Sequence, residues 1–541
     1  MKRLYLVLLS SITLSFYANA QAPVTRPKLV VGIVIDQMRW DYLYRYYDRY
    51  LPSGGFKRLL NTGYSCENTL IPYTPTYTAC GHSCIYTGSV PAVNGITGNF
   101  WWDRDLNRSV YCTEDKTVNT VGTKSSLGKM SPRNMLTTTV CDELKIATNN
   151  HSKVIGISIK DRGGILPAGH NANAAYWYDN TAGSWITSDY YMAELPKWVT
   201  NFNDQKLVDQ YYQQGCDLLY PAASYVQSTA DEKSYEAKAL GANKFPYDLK
   251  SYAGKDYGKI ATTPMGNTLT AEFAKAAVLN EQLGADNITD FLAVSFSSTD
   301  YIGHSYGPNS IEIEDCYLRL DKELGNLLTF LDSKVGAGQY LLFLSADHGV
   351  VQTPEYMKEN KMPGGRVFMG TITKEMNRLL NEKYKIAALI SSDENYQVTL
   401  NHPAIDSAKI DEEEVCNWII NYLSKDSTVA RAFTLEDLNE VPLPSTIRSM
   451  LNNGYYRKRS GDIQILLKPG YIDALSNTGT THGLWNPYDS HIPLLWYGWG
   501  IKKGKSNREV YMTDIAPTIS ALLKIQVPSG CIGHVIEEVM K

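Results

Sequence analysis

At 541 residues, with 43% hydrophobic and 20% charged residues, the chain can bury a large core in two to four domains, which excludes a disordered or fibrous protein. A net charge of -4 and a pI near 6.2 give no electrostatic case for nucleic-acid binding, yet a few local cations could still hold a small anion.

Residues 1–20 read as a secretory signal. Lys2 and Arg3 precede a short apolar stretch from Leu4 to Phe16, and Ala18-Asn19-Ala20 makes an A-x-A cleavage site. An exported protein, periplasmic or secreted, is expected over residues 21–541. No later stretch approaches the ~20 apolar residues of a membrane span, and no cysteine follows the cleavage site to carry a lipid. Nine scattered cysteines, without a C-x-x-C pair, argue against a zinc ribbon, and their odd count leaves at least one thiol unpaired.

Leu29 to Ile35 (LVVGIVI) is a continuous β-branched run, the pattern of a buried parallel strand. Similar runs lie at Lys153 to Ile159, Phe291 to Phe296, Tyr340 to Leu344 and Pro493 to Tyr497. Helical patterns occupy Ser310 to Leu331 and Met512 to Leu523, with Thr513 or Asp514 as a cap of the second. This alternation predicts an α/β fold around a mostly parallel central sheet flanked by helices. Two stretches interrupt it, about 172–266 and 354–469, and read as insertions forming a cap over the sheet edge.

Ligands of open α/β sheets sit beyond the carboxyl ends of the strands, and polar residues recur there. Asp36 ends the first run, Asp300 and His304 follow FLAVSFSS, and Asp347-His348 follow YLLFLSA. His482 lies in a Thr-Gly-Thr-Thr-His-Gly loop after an expected strand at Asp462 to Leu467. Any one alone is an ordinary cap or loop residue. Together they supply three carboxylates and three imidazoles, a donor set for two adjacent metals with mixed nitrogen and oxygen ligands.

A second group suits an anion. Thr78, in Thr-Tyr-Thr-Ala-Cys-Gly-His, could open a helix whose free N–H groups attract phosphate. Lys160 and Arg162, two apart at the end of a β-rich run, would point into one space by strand periodicity.

These residues resemble the alkaline phosphatase superfamily. Asn99 in Gly-Ile-Thr-Gly-Asn and the triplet Lys160-Asp161-Arg162 resemble its phosphate-irrepressible, flavobacterial-type branch. The opening VVGIVIDQMRWDYL is similar to the nucleotide pyrophosphatase/phosphodiesterase branch. The match runs in order from about residue 29 to 525.

The resemblance implies two zinc ions. One would be held by Asp300, His304 and His482, the other by Asp36, Asp347, His348 and the Thr78 oxygen, with Asn99, Lys160 and Arg162 on the phosphoryl oxygens. It implies attack by Thr78, a phosphothreonine that water then hydrolyses, and broad specificity for phosphate monoesters. The two cations favour a monoester dianion over a diester; a phosphodiesterase on the same scaffold and a non-catalytic phosphate- or metal-binding protein are the alternatives. Neither Cys80 nor Cys84 has the setting a sulfatase needs. One departure is Cys80, where relatives often carry proline; an exposed thiol there would be open to oxidation. A monomer is expected. Asp103-x-Asp105-x-Asn107 with Glu114 resembles half an EF-hand loop, but Arg108 occupies the position that needs glycine. His82, four residues after Thr78, reads as a residue that supports the site or sits on the helix surface; His170 and His491 have no assigned role, and Trp101 and Trp102 read as core or pocket wall.

Overall fold

The computed structural model describes residues 25–540; the expected signal segment lies outside them. Four of the continuous apolar runs, joined by the aromatic segment Ala174–Asp179 that lies outside the expected runs, form five strands buried along their whole length: β1 (Leu29–Ile35), β2 (Val154–Ser158), β3 (Ala174–Asp179), β4 (Asp290–Phe296) and β5 (Tyr340–Ser345). They lie side by side, all parallel, in the order β5-β1-β4-β2-β3, at the centre of an 11-stranded sheet. Helices cover the sheet, as a parallel sheet with two apolar faces requires. Four of them matter for the site: α1 (Thr78–Thr87), α2 (Asp161–Ala168), α3 (Ser298–Tyr306) and α4 (Ile311–Leu331). α4 fills the expected helical stretch, and the Ser310 side chain caps it by accepting from the Ile313 N–H.

Three expectations change. The run at Pro493 to Tyr497 forms the strand Leu494–Gly498, but it pairs antiparallel with β5. Its inner residues are as buried as those of the parallel strands, and an apolar run reports burial rather than direction. Ile463–Leu467 is the expected strand before His482, but it belongs to a separate four-stranded sheet between Gln397–Leu400 and Val429–Thr434. That sheet has its own core, including Met376, Leu380, Val398, Ile419 and Ile465, and lies within the 354–469 stretch. The 172–266 stretch begins with β3 and the strand Ser184–Ser188, which extend the large sheet before the chain turns to short helices. Asp514 also works backwards from its expected role: it precedes the helix Ile515–Leu523 but accepts from the N–H groups of Tyr511 and His534, at 2.9 and 2.8 Å.

All nine cysteines are unpaired, eight of them buried. Cys80 is wholly buried, donates to the Ile96 carbonyl at 3.2 Å, and has its thiol pKa pushed up by burial. The side chain faces the core, so the exposure that would open this thiol to oxidation is not met.

Candidate active site

Four of the five parallel strands deliver polar residues from their carboxyl ends to one place. Asp36 follows β1, Lys160 follows β2, Asp300 lies in the first turn of α3 after β4, and Asp347 and His348 follow β5. His482 arrives from the loop after the short strand Tyr471–Asp473, outside the large sheet. Ligand atoms of Asp300, His304 and His482 lie within 4.8 Å of one another, and so do those of Asp36, Asp347 and His348. The two groups are adjacent: the His348 and His482 rings stack with centroids 3.5 Å apart at 14°.

The backbone fixes the imidazoles. The Nδ1 atoms of His304, His348 and His482 lie 2.8, 2.9 and 2.7 Å from the carbonyls of Thr480, Gly349 and Thr76. A carbonyl can only accept, so each Nδ1 carries the proton and each Nε2 turns to the centre, the second-shell arrangement of a metal-ligating histidine. His348 Nε2 then faces Asp36 Oδ1 at 3.5 Å and Asp347 Oδ2 at 3.4 Å, two buried oxygens that accept no hydrogen bond from the described residues. Burial lowers the pKa of both His348 and His482. Lone pairs and carboxylate oxygens that confront one another in a dry site require a cation between them, so the donor set fits metal ions.

Electrostatics agree. Burial, reinforced by Asp300 and Asp347, pushes the Asp36 carboxyl well above the usual range. Burial opposes ionisation of Asp300 too, but His304 and Lys160 outweigh it and hold this carboxyl well below the usual range. Lys160 Nζ touches Asp36 Oδ2 and Asp300 Oδ2, each at 2.6 Å, and so joins one carboxylate from each group.

Thr78 is the first residue of α1, with Tyr77 before it in extended conformation and no side-chain cap on the helix. Its Oγ1 is buried 3.4 Å from His348 Nε2. Asn99 Oδ1 accepts from the Ala79 N–H at 3.0 Å, which ties the half-exposed Asn99 to the start of α1. The strand argument for Lys160 and Arg162 fails: β2 ends at Ser158, Lys160 occupies the N-cap position of α2, and Arg162 is in its first turn. The glycines at 163 and 164 let the chain turn straight from strand to helix. Gly163 packs against Ser158, where a Cβ would lie 3.1 Å from the Ser158 Cβ. Arg162 is held by the Tyr111 hydroxyl at 3.0 Å, which itself donates to Asp161 at 2.6 Å, and the buried Arg162 Nε has no partner among the described residues.

Three residues support the site; Gln37 and Asp489 escape the sequence, while His82 is expected there as a supporting or helix-surface residue. Gln37 hydrogen-bonds both Asp347 and Asp300. His82 lies on α1, one turn after Thr78, with its ring 2.9 Å from the Thr78 carbonyl and 3.4 Å from Asp347 Oδ2. Asp489, fully buried, accepts from the Leu484 N–H at 3.0 Å beside His482, while its own carbonyl accepts from the Gly349 N–H at 2.7 Å beside His348. The only signal was that Gln37 adjoins Asp36; Asp489 had none. His170 pairs with Asp142 and His491 stacks on Trp40, both outside this cluster. Trp101 is core and Trp102 half-buried. A third possible ligand group, His402, Glu412 and Asp462, is closed by Arg104, 2.7 Å from Asp462.

The type I phosphodiesterase/nucleotide pyrophosphatase family matches residues 30–489, and the chain belongs to that family. It is 55% identical to alkaline phosphatase PhoV of Synechococcus elongatus, over 96% of this chain and 94% of that one. It is 52% identical to a protein of Myroides odoratus described as a calcium-transporting ATPase, over 97% of each. It is also 52% identical to alkaline phosphatase PafA of Elizabethkingia meningoseptica, over 96% of this chain and 95% of that one. The crystal structure of PafA superposes with a TM-score of 0.93, covering 96% of this chain and all of that one.

Proposed function

We propose that this chain is an alkaline phosphatase that hydrolyses phosphate monoesters through a phosphothreonine on Thr78, with two zinc ions as cofactors. High identity to two alkaline phosphatases supports the activity. The observation that carries the mechanism is the convergence of two three-ligand groups beside a threonine at an uncapped helix start.

Asp300, His304 and His482 would hold one metal, and Asp36, Asp347, His348 and the Thr78 oxygen the other; mixed imidazole and carboxylate donors suit zinc. Bound there, the pair would lower the pKa of the Thr78 hydroxyl and neutralise charge on the reacting oxygens. Thr78 Oγ1 attacks phosphorus, the alcohol leaves, and water cleaves the phosphothreonine to free phosphate and Thr78. Asn99, tethered to the Ala79 N–H, and Arg162, braced by Tyr111, orient the non-bridging oxygens together with Lys160. Gripping the phosphoryl group rather than the leaving group gives broad specificity.

Lys160 and Arg162 favour a dianionic monoester, while the family's name favours a diester on the same scaffold. The ATPase description fits the same chemistry if ATP is a substrate; among the described residues no helix is long and apolar enough to cross a membrane. Export rests on the pattern of residues 1–20. The test combines metal analysis with rates on p-nitrophenyl phosphate and bis-p-nitrophenyl phosphate. Two zincs per chain, a monoester preference, and a Thr78→Ala variant that keeps metal but loses most turnover are expected. A faster diester rate or an active Thr78→Ala refutes the proposal.

A further inference from the structure

No ligand pattern points to the residue after Asp36. Gln37 is 2% exposed and sits at φ 66°, a left-handed backbone that residues with a β-carbon rarely adopt. Two bonds accompany that turn. The Gln37 N–H donates to Asp347 Oδ1 at 3.1 Å, and the side-chain Nε2 donates to Asp300 Oδ1 at 2.7 Å. Asp347 belongs to one ligand group and Asp300 to the other. Thr299 Oγ1 pins the turn from the far side by donating to the Asp36 carbonyl at 2.5 Å. Gly303, between Asp300 and His304 on α3, leaves the room the amide needs, because a Cβ there would collide with Gln37 Oε1.

We infer that Gln37 is a positioning residue that sets the spacing between the two metal-binding groups, with its backbone N–H orienting Asp347 and its amide orienting Asp300. The left-handed φ turns the Gln37 side chain about the N–Cα bond, so that one residue reaches Asp347 with its N–H and Asp300 with its amide. The amide is also the right chemistry. It orients Asp300 as a neutral donor, whereas a second lysine would add charge that repels a cation. Ligating carboxylates depend on such hydrogen-bonded support.

This inference rests on the two-metal reading above, and the experiment separates the two. Zinc affinity in metal buffers, the visible spectrum of the cobalt-substituted protein, kcat and KM on p-nitrophenyl phosphate, and Tm are measured for wild type, Gln37→Met and Gln37→Asn. Met keeps the length and loses the donor. Asn tolerates the left-handed backbone and keeps the N–H bond to Asp347, but is one methylene too short for Asp300. Both variants are expected to bind zinc about 10- to 100-fold more weakly, with an altered cobalt spectrum and a fall in kcat that exceeds the change in KM. Gly303→Ala, which displaces the amide from the other side, should shift zinc affinity the same way. Wild-type zinc affinity and cobalt spectra in both Gln37 variants overturn the inference, including when Tm falls, since that marks a purely structural role. A wild-type protein that binds no metal sinks the two-metal reading instead.

Discussion

Gly81 offers the sharpest test of how the fold holds the nucleophile. It lies one turn into α1, three residues after Thr78, and meets the backbone of Asp347. A Cβ at Gly81 would lie 2.5 Å from Asp347 Cβ and 2.6 Å from Asp347 Cα, and closer still to its carbonyl oxygen, whereas ordinary contact begins at 3.4 Å. The obstacle is backbone at the end of a buried strand, so rotamer changes cannot relieve it. α1 and the β5 loop must separate by about 1 Å, a displacement that can cost ~100-fold in rate. Because Thr78 starts the helix and Asp347 lies just past the strand, that shift falls between the proposed nucleophile and a ligand-group residue. Overpacking of this kind also costs about 1–3 kcal/mol. Helix propensity alone predicts the opposite sign, a gain of about 1 kcal/mol for glycine to alanine. The assay is kcat/KM on p-nitrophenyl phosphate for Gly81→Ala, with Tm and zinc content measured in parallel. A variant as active as wild type and more stable would refute the argument, because it would mean that α1 is not fixed against Asp347.

Asp489→Ala removes the buried carboxylate that accepts from the Leu484 N–H in the His482 loop while leaving the backbone bond to Gly349 in place, and zinc affinity in metal buffers should fall about 10- to 100-fold, with Asp489→Asn recovering much of it. Arg162→Ala removes one proposed donor to the phosphoryl group, so the monoester rate should fall about 100-fold and the diester rate much less, which narrows the ratio measured on the two p-nitrophenyl substrates. Glu312 is buried near Glu236, and burial, with Glu236 adding, raises its pKa to about 8. Its unfolded value is about 4.3, so ionisation is disfavoured in the folded state, and stability from this residue is full below pH ~4 and lost as pH rises through about 8. Glu312→Gln should therefore raise Tm at pH 9 and change it little at pH 5; an equal effect at both pH values would contradict the shift.

The parallel core was legible because buried strands carry one pattern whichever neighbour they pair with. LVVGIVI, VIGIS and YLLFLS are apolar at every turn of the pleat, and the polar residues that end them must lie at the carboxyl edge. That logic reached Asp36, Asp300, His304, Asp347 and His348 directly. It misjudged Leu494–Gly498, because antiparallel pairing buries side chains equally well. It reached Lys160 and Arg162 by a faulty route: a strand period was assumed where Gly163 and Gly164 allow a helix to start at residue 161.

Local chemistry along the chain thus determined which side chains could bind metal and phosphate, since donor type and strand-end position are properties of short segments. Tertiary structure decided what no segment contains. It brings His482 from beyond a second sheet onto His348, turns three Nε2 atoms inward through the carbonyls of Thr76, Gly349 and Thr480, sets Gln37 against Asp300 and Asp347 hundreds of residues away, and places Asp489 between the His348 and His482 loops. Those contacts depend on how separately folded elements dock. The packing and backbone hydrogen bonds that govern docking are satisfied only when the whole chain closes.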